Sequence, residues 1–338
     1  MKQVNKTTKI GIDTIEISIN QHIKIKETEI KSKKTGNKLG RIWPIQDGVK
    51  LSLNLPRCIY SDNIHPIGIM DACHLYNILE EISEVLQRLH LDMQAAKVTK
   101  VEVNATAELE NPKHVQAIMQ LFMIMFLEQS KSDKDKIYIT VHGEDDCLYK
   151  NVPLTKNILR KRPQVQSIKT PRLSNKKFAW KLYDKGLESN VTNRGILRIE
   201  QIHLPPSLKY AKVSDNLKEF LTCDNIIKLI NLYKANFREH FLNVFWNLDK
   251  TGDSFINRCI NTICIELQEE QPLAAAKVHR DLIAIDFGLF RRACLRHYGN
   301  EHRKTALQAV RRVKQSGKIK VLEGAITELV KIFRAIIA

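Results

Sequence analysis

Between Lys9 and His203, apolar residues recur at every second position in one segment after another; beyond Pro205 that spacing gives way to a helical one. A period of two is what a half-buried strand needs, because successive side chains point to opposite faces of a sheet. The strand-like runs are KIGIDTIEISI (9–19), VKLSLNL (49–55), VTKVEVNATAEL (98–109), KIYITVHGED (136–145), KFAWKLYDK (177–185) and ILRIEQ (196–201). Between them, Leu75, Ile78, Leu79, Ile82, Val85, Leu86 and Leu89 repeat at helical spacing behind Asp71 as N-cap, and a second helix opens at Asn111-Pro112 and runs to about Gln129. The predicted class is α+β: a mostly antiparallel sheet with helices on one face over 1–205, then a helical domain over 206–338 in which Ser316-Gly317 breaks the last helix pair. The stretch LRKRPQVQSIKTPRLSNKK (159–177) reads as a basic, proline-punctuated loop.

Charge narrows the partners. The 338 residues carry 54 lysines and arginines against 37 acids, net +17, which points to a polyanion. Residues 151–212 alone hold fourteen basic side chains against Asp184, Glu188 and Glu200, and 286–338 hold twelve against four. Two basic regions suit two backbone contacts with nucleic acid, or one long groove. The seven cysteines are scattered with no C-x-x-C pair, which predicts neither zinc knuckle nor disulfide framework and suits a reducing cytoplasm. The N-terminus has no apolar signal core, and LFMIMFL (121–127) is too short to span a bilayer, so no membrane role is expected. Cys259 and Cys264 lie on an apolar helical run and are expected in the core.

Splitting each strand by parity separates its faces. Phe178, Trp180 and Leu182 oppose Lys181, Tyr183 and Lys185; Leu197 and Ile199 oppose Arg198 and Glu200; Lys100, Glu102, Asn104 and Thr106 form another polar face, and Tyr138, Thr140 and His142 a fourth. A sheet that shows one face to water produces the same alternation. The content is what differs: a tyrosine between lysines, two glutamates, an arginine and a histidine. Nearby cations favour a phenolate, and two carboxylates on adjacent strands can hold Mg2+ or Mn2+ through hard oxygen ligands. Together such groups can cut DNA by transesterification. Tyr60, Tyr138 and Tyr149 lack the flanking lysine pair and the paired strand acid, and are expected to be structural or base-stacking residues.

In order and spacing, VTKVEVNATAEL, KLYDKGLE and ILRIEQIHL resemble the motifs of rolling-circle replication initiators of the filamentous-phage gene II type and related plasmid initiators. NLPRCIYSDNIHPIG upstream and FGLFRRACLRHYG downstream are similar to two further segments of that family. The resemblance implies a rolling-circle-nuclease-like sheet and a cytoplasmic, metal-dependent nicking and joining enzyme. Its tyrosine attacks one strand at an origin, keeps the 5′ phosphate and leaves a 3′ hydroxyl primer. Residue by residue, Tyr183 falls at the nucleophile, Lys185 at the lysine beside it with Lys181 on its other side, Glu200 at the acid of R-[FI]-E and Arg198 at its arginine. The family's R-I-D appears as Lys100-Val101-Glu102, and Ser61-Asp62 replace its Gly-His. Glu102 and Glu200 are the expected metal ligands; His142 or His203 could add a third, although parity places His203 opposite Glu200 and a single histidine at a strand end is more often a surface residue. Arg198, Lys100, Arg160, Lys161, Arg162, Lys176, Lys177, Arg291, Arg292, Arg311 and Arg312 are expected at single-stranded or melted origin DNA. A host helicase and polymerase would be the further partners. The alternatives are a non-catalytic regulator using RKTALQAVRRVKQSGKIKV as a helix-turn-helix, and a relaxase or transposase with the same tyrosine chemistry.

Overall fold

The alternating runs assemble into one ten-stranded antiparallel sheet, in the order β2-β3-β4-β1-β5-β10-β9-β8-β6-β7. The structure, a computed structural model, describes residues 8–60, 63–129, 137–142, 147–155, 157–158, 164–170, 178–191, 193–242, 253–280, 283, 287–317 and 325–338. The strands are β1 Lys9–Ile19, β2 Thr28–Lys31, β3 Lys38–Ile45, β4 Gly48–Asn54, β5 Ala96–Leu109, β6 Tyr138–His142, β7 Leu148–Pro153, β8 Gln164–Lys169, β9 Phe178–Asp184 and β10 Gly195–His203. After β10 every named element is helical.

Three local expectations change. β8 lies inside the stretch expected to be a loop: Val165 and Ile168 are buried although prolines and cations flank them. Asp71 is not a helix cap. It sits in a 3-10 turn, Ile69–His74, and accepts from the Gly68 amide (2.9 Å) and the Tyr60 hydroxyl (2.7 Å), so helix α1 starts at Leu75 and runs to Arg88. Lys185 is not a strand residue. β9 ends at Asp184, whose carboxylate accepts from the Leu187 amide and caps a short helix, Lys185–Glu188.

The core lies under one face of the sheet. Helix α2 (Lys113–Gln129), expected from Asn111-Pro112, crosses β8, β9 and β10, and its Gln116 amide donates to Val165 O and to Asp184 Oδ2, both at 2.9 Å. Helix α6 (Cys223–Phe237), counting α3 Lys185–Glu188, α4 Pro205–Tyr210 and α5 Leu217–Phe220 before it, buries Ile226, Leu229, Ile230, Tyr233 and Phe237 at helical spacing. One π-helical turn, Arg238–Leu242, then sets Phe241 against Trp180 with ring centroids 4.9 Å apart. The Tyr233 hydroxyl donates to Ile199 O at 2.8 Å, so this aromatic layer is bonded to the strand that carries Glu200. The last helix, α11 (Ala325–Ile337), returns to α2, where Glu328 takes His114 Nδ1 at 2.5 Å.

Candidate active site

Register decides which polar residues meet. Across β9, β10 and β5, Tyr183 pairs Arg198 and Arg198 pairs Thr106; one row along, Lys181 pairs Glu200 and Glu200 pairs Asn104; in the next, Ile202 pairs Glu102 and Glu102 pairs Thr14 of β1. Because parity is preserved through these ladders, all the polar side chains project from the face opposite α6. The Tyr183 hydroxyl donates to Glu200 Oε2 at 3.0 Å and accepts from Arg198 Nη1 at 3.2 Å. The Lys181 ammonium sits 4.3 Å from the centre of the Tyr183 ring and that of Lys185 5.8 Å.

A third carboxylate joins them that strand parity hides. Asp13 lies between Ile12 and Ile15 and by alternation belongs with the core, but the β1–β5 register shifts between Ile12 and Thr14. This bulge leaves Asp13 as the extra residue and turns its side chain to the polar face. The Leu55 amide donates to its carbonyl at 2.8 Å. One oxygen each from Asp13, Glu102 and Glu200 lie within 4.8 Å of one another. The sequence signal was available: an acid between isoleucines three apart, Ile12 and Ile15, breaks the period of two.

The face is not open to water at this point. Arg198 is 0% exposed, Glu200 2% and Tyr183 3%. Residues 63–67 cross over it: the Ile12 and Ile67 backbones exchange hydrogen bonds of 2.9 and 2.8 Å, and a Cβ on Gly11 would stand 2.1 Å from Ile67 O, so only glycine permits the crossing. Arg198 fastens the crossover. Its Nη2 donates to Asn63 O (2.5 Å) and Ile64 O (2.6 Å), Nη1 to Asp13 (3.1 Å) and Nε to Thr106 (2.9 Å). Expected at DNA, Arg198 is instead the internal brace of the site, because its donors are engaged and its guanidinium is sealed off.

Burial sets the electrostatics. It pushes the Glu200 carboxyl up to about 7, aided by Glu102 and opposed by Lys181. It also drives the Tyr183 phenol well above its ordinary value, against the pull of Arg198. The expectation that neighbouring cations would favour the phenolate is therefore corrected: in the free protein desolvation outweighs them. Lys185, buried, is lowered by desolvation and by Arg198, and donates to Glu188 at 2.6 Å. Burial opposes the charge on Lys100, but Glu102 (2.5 Å) and Glu16 (3.0 Å) outweigh it and hold the ammonium protonated. Lys100, expected at DNA, is thus bound to carboxylates of the same face.

The cluster fits a divalent cation. Oxygens bound at about 2.0 to 2.6 Å from one centre stand at most about 4 to 5 Å apart, and an all-carboxylate set is the hard donor type for Mg2+ or Mn2+. Each carboxylate also has its own donor: Asp13 has Arg198, Glu102 has Lys100 and Glu200 has Tyr183. Such partners orient ligands. His142 does not reach this group, since β8 and β9 stand between its strand and β10. His203 points to the core face, buried and bonded to Ser207 at 2.8 Å.

The remaining expected DNA contacts divide in two. Arg291 and Arg292 on helix α9 (Phe287–Tyr298) and Arg311 and Arg312 on α10 (Arg303–Gln315) are exposed, while Leu289, Phe290, Ala309 and Val310 bury the opposite sides; α7 (Asp253–Glu269) and α8 (Pro272–Val278) precede them. Arg160, Lys161, Arg162, Lys176 and Lys177 lie outside the described residues, as do Ser61 and Asp62. Among the described residues no helix is long and apolar enough to cross a membrane.

No protein-family model matches this chain, and no curated protein does. Among solved structures it is similar to a rolling circle replication initiator protein from Geobacillus stearothermophilus, with 8% identity and a TM-score of 0.33 over 68% of this chain and 84% of that one. A likeness of that degree says nothing about the site.

Proposed function

We propose that this chain is a site-specific DNA nicking and joining enzyme that initiates rolling-circle replication, with Tyr183 as nucleophile and Asp13, Glu102 and Glu200 as the ligands of Mg2+ or Mn2+. The observation that carries the reading is the convergence of three carboxylates on the face where the Tyr183 hydroxyl is bonded to one of them. The motif order in the sequence supports it independently.

Tyr183 Oη attacks phosphorus; the new O–P bond forms as the P–O3′ bond breaks, and the phenol proton passes to the Glu200 carboxylate 3.0 Å away and from it to the leaving 3′ oxygen. When bound, the divalent cation polarises a phosphate oxygen and favours ionised carboxylates. Lys181 neutralises charge growing on the phosphate, Lys185, paired with Glu188, sits against the Tyr183 ring, and Arg198 holds Tyr183 and Asp13 in register. Rejoining is the reverse attack by a 3′ hydroxyl. In this proposal residues 1–205 carry the chemistry. Residues 206–338 brace the sheet through α6 and α11 and offer Arg291, Arg292, Arg311 and Arg312 to DNA.

The test uses labelled single-stranded DNA covering the origin of the chain's own replicon. With Mg2+, a covalent protein–DNA band should appear on a denaturing gel and vanish with EDTA. DNA binding without any adduct in either Mg2+ or Mn2+ would leave a binding protein and contradict the proposal.

A further inference from the structure

The polar face does not end at Glu200. The row that contains it continues outward: Glu200 pairs Lys181, Lys181 pairs Lys169 of β8, and Lys169 pairs Tyr138 of β6. With strands about 4.8 Å apart, Tyr138 stands roughly 14 Å from the carboxylates along a line that crosses two lysines. A groove of about 580 Å³ opens beside this row, with Lys169 and Tyr138 on its wall and Lys50, Lys100, Glu16 and the apolar Ile202 opposite. Glu16 accepts from Lys50 at 2.8 Å and from Lys100 at 3.0 Å, pairs that occupy these two lysines as well as the acid, so the cations this row offers a polyanion are Lys169 and Lys181. Lys169 is exposed, and Tyr138 is 36% exposed on a strand whose Ile139 and Val141 are buried.

We propose that this row is a track for single-stranded DNA flanking the attacked phosphate, with Lys181 and Lys169 against its backbone and the ring of Tyr138 beneath one of its bases. The proposal rests on the nicking reading of the adjoining site. Charge complementarity selects a polyanion. The aromatic ring at the end of a basic groove selects one with unpaired bases, because stacking is open to every base and needs no hydrogen-bond code. The same physics leaves a duplex, whose bases are already stacked, without use for Tyr138.

The experiment separates the track from the chemistry. Full-length protein carrying Tyr183→Phe, which cannot form an adduct under the proposal, is titrated into fluorescein-labelled dT12 and followed by anisotropy. Adding Tyr138→Thr, which keeps a strand-forming residue and deletes the ring, should weaken binding about tenfold. Adding Tyr138→Phe should leave it within about twofold, and Lys169→Ala should lower the slope of log K against log salt by about 0.7. Unchanged binding with Tyr138→Thr would overturn the track, as would a loss with Tyr138→Phe equal to that with Tyr138→Thr. An oligoglutamate of twelve residues that binds with the same dependence on Tyr138 would overturn it in favour of an acidic peptide. Because no cleavage is read, failure here leaves the nicking proposal standing, and failure of nicking leaves this result readable.

Discussion

Trp180 and Tyr183 sit three residues apart on β9, one 1% and the other 3% exposed, yet opposite forces hide them. Trp180 meets Tyr233, Phe237 and Phe241 edge-on at 5.4, 6.1 and 4.9 Å, an aromatic layer held by area and shape. Tyr183 meets Arg198, Glu200 and two lysines, a layer held by directed hydrogen bonds among charges. Hydrophobic packing of equal volume is often as stable as a buried charge network or more so. The first face therefore accounts for the fold, and under the nicking proposal the second is there for its chemistry.

Damaging each face in turn should separate stability from chemistry. Trp180→Ala should lose about 3 to 5 kcal/mol of stability in a denaturant titration, with nicking falling only as the folded fraction falls. Glu200→Gln should do the reverse: nicking in Mg2+ drops on the order of 10³-fold, several kcal/mol of transition-state stabilisation, while the fold stays intact. If the two variants fail in the same way, the faces do not divide the labour.

A smaller effect sharpens the electrostatic half. Glu200 titrates at about 7 when folded against an ordinary 4.5, so the folded state binds the proton more tightly. Its contribution to stability is complete below about pH 4.5 and is lost as pH rises through about 7, by at most about 1.4 kcal/mol per unit. Melting of metal-free protein should show that decline, and Glu200→Gln should remove it. Adding Mg2+ should raise the melting temperature more at pH 8 than at pH 5, since cation and proton compete for the same carboxylates. The smallest stability change belongs to Tyr183→Phe. It deletes one hydroxyl that both donates and accepts, and should cost about 1 to 2 kcal/mol by thermal melting.

Much of the face was legible because a strand has only two sides. Parity put Tyr183, Arg198, Glu200 and Glu102 each on the polar side of its own strand, with Trp180 behind Tyr183; the register of β5, β10 and β9 is what joins those sides. Three things escaped it for physical reasons. Asp13 was hidden by a bulge, which resets parity at one residue. The crossover at 63–67 uses backbone carbonyls, to which side-chain patterns give no clue. β8 was masked by surrounding prolines and cations, yet it carries the lysine that links Tyr138 to the site. Residue types suggested exposure and a phenolate; burial, a tertiary property, reversed both.

The most direct measurement is to digest the covalent adduct with trypsin and nuclease and locate the phosphonucleotide by mass spectrometry. The modification is expected on the peptide that contains Tyr183, with none formed by Tyr183→Phe. Attachment at Tyr138 or Tyr149 would contradict it, and would make the buried tyrosine on β9 a support for a nucleophile that lies elsewhere on the sheet.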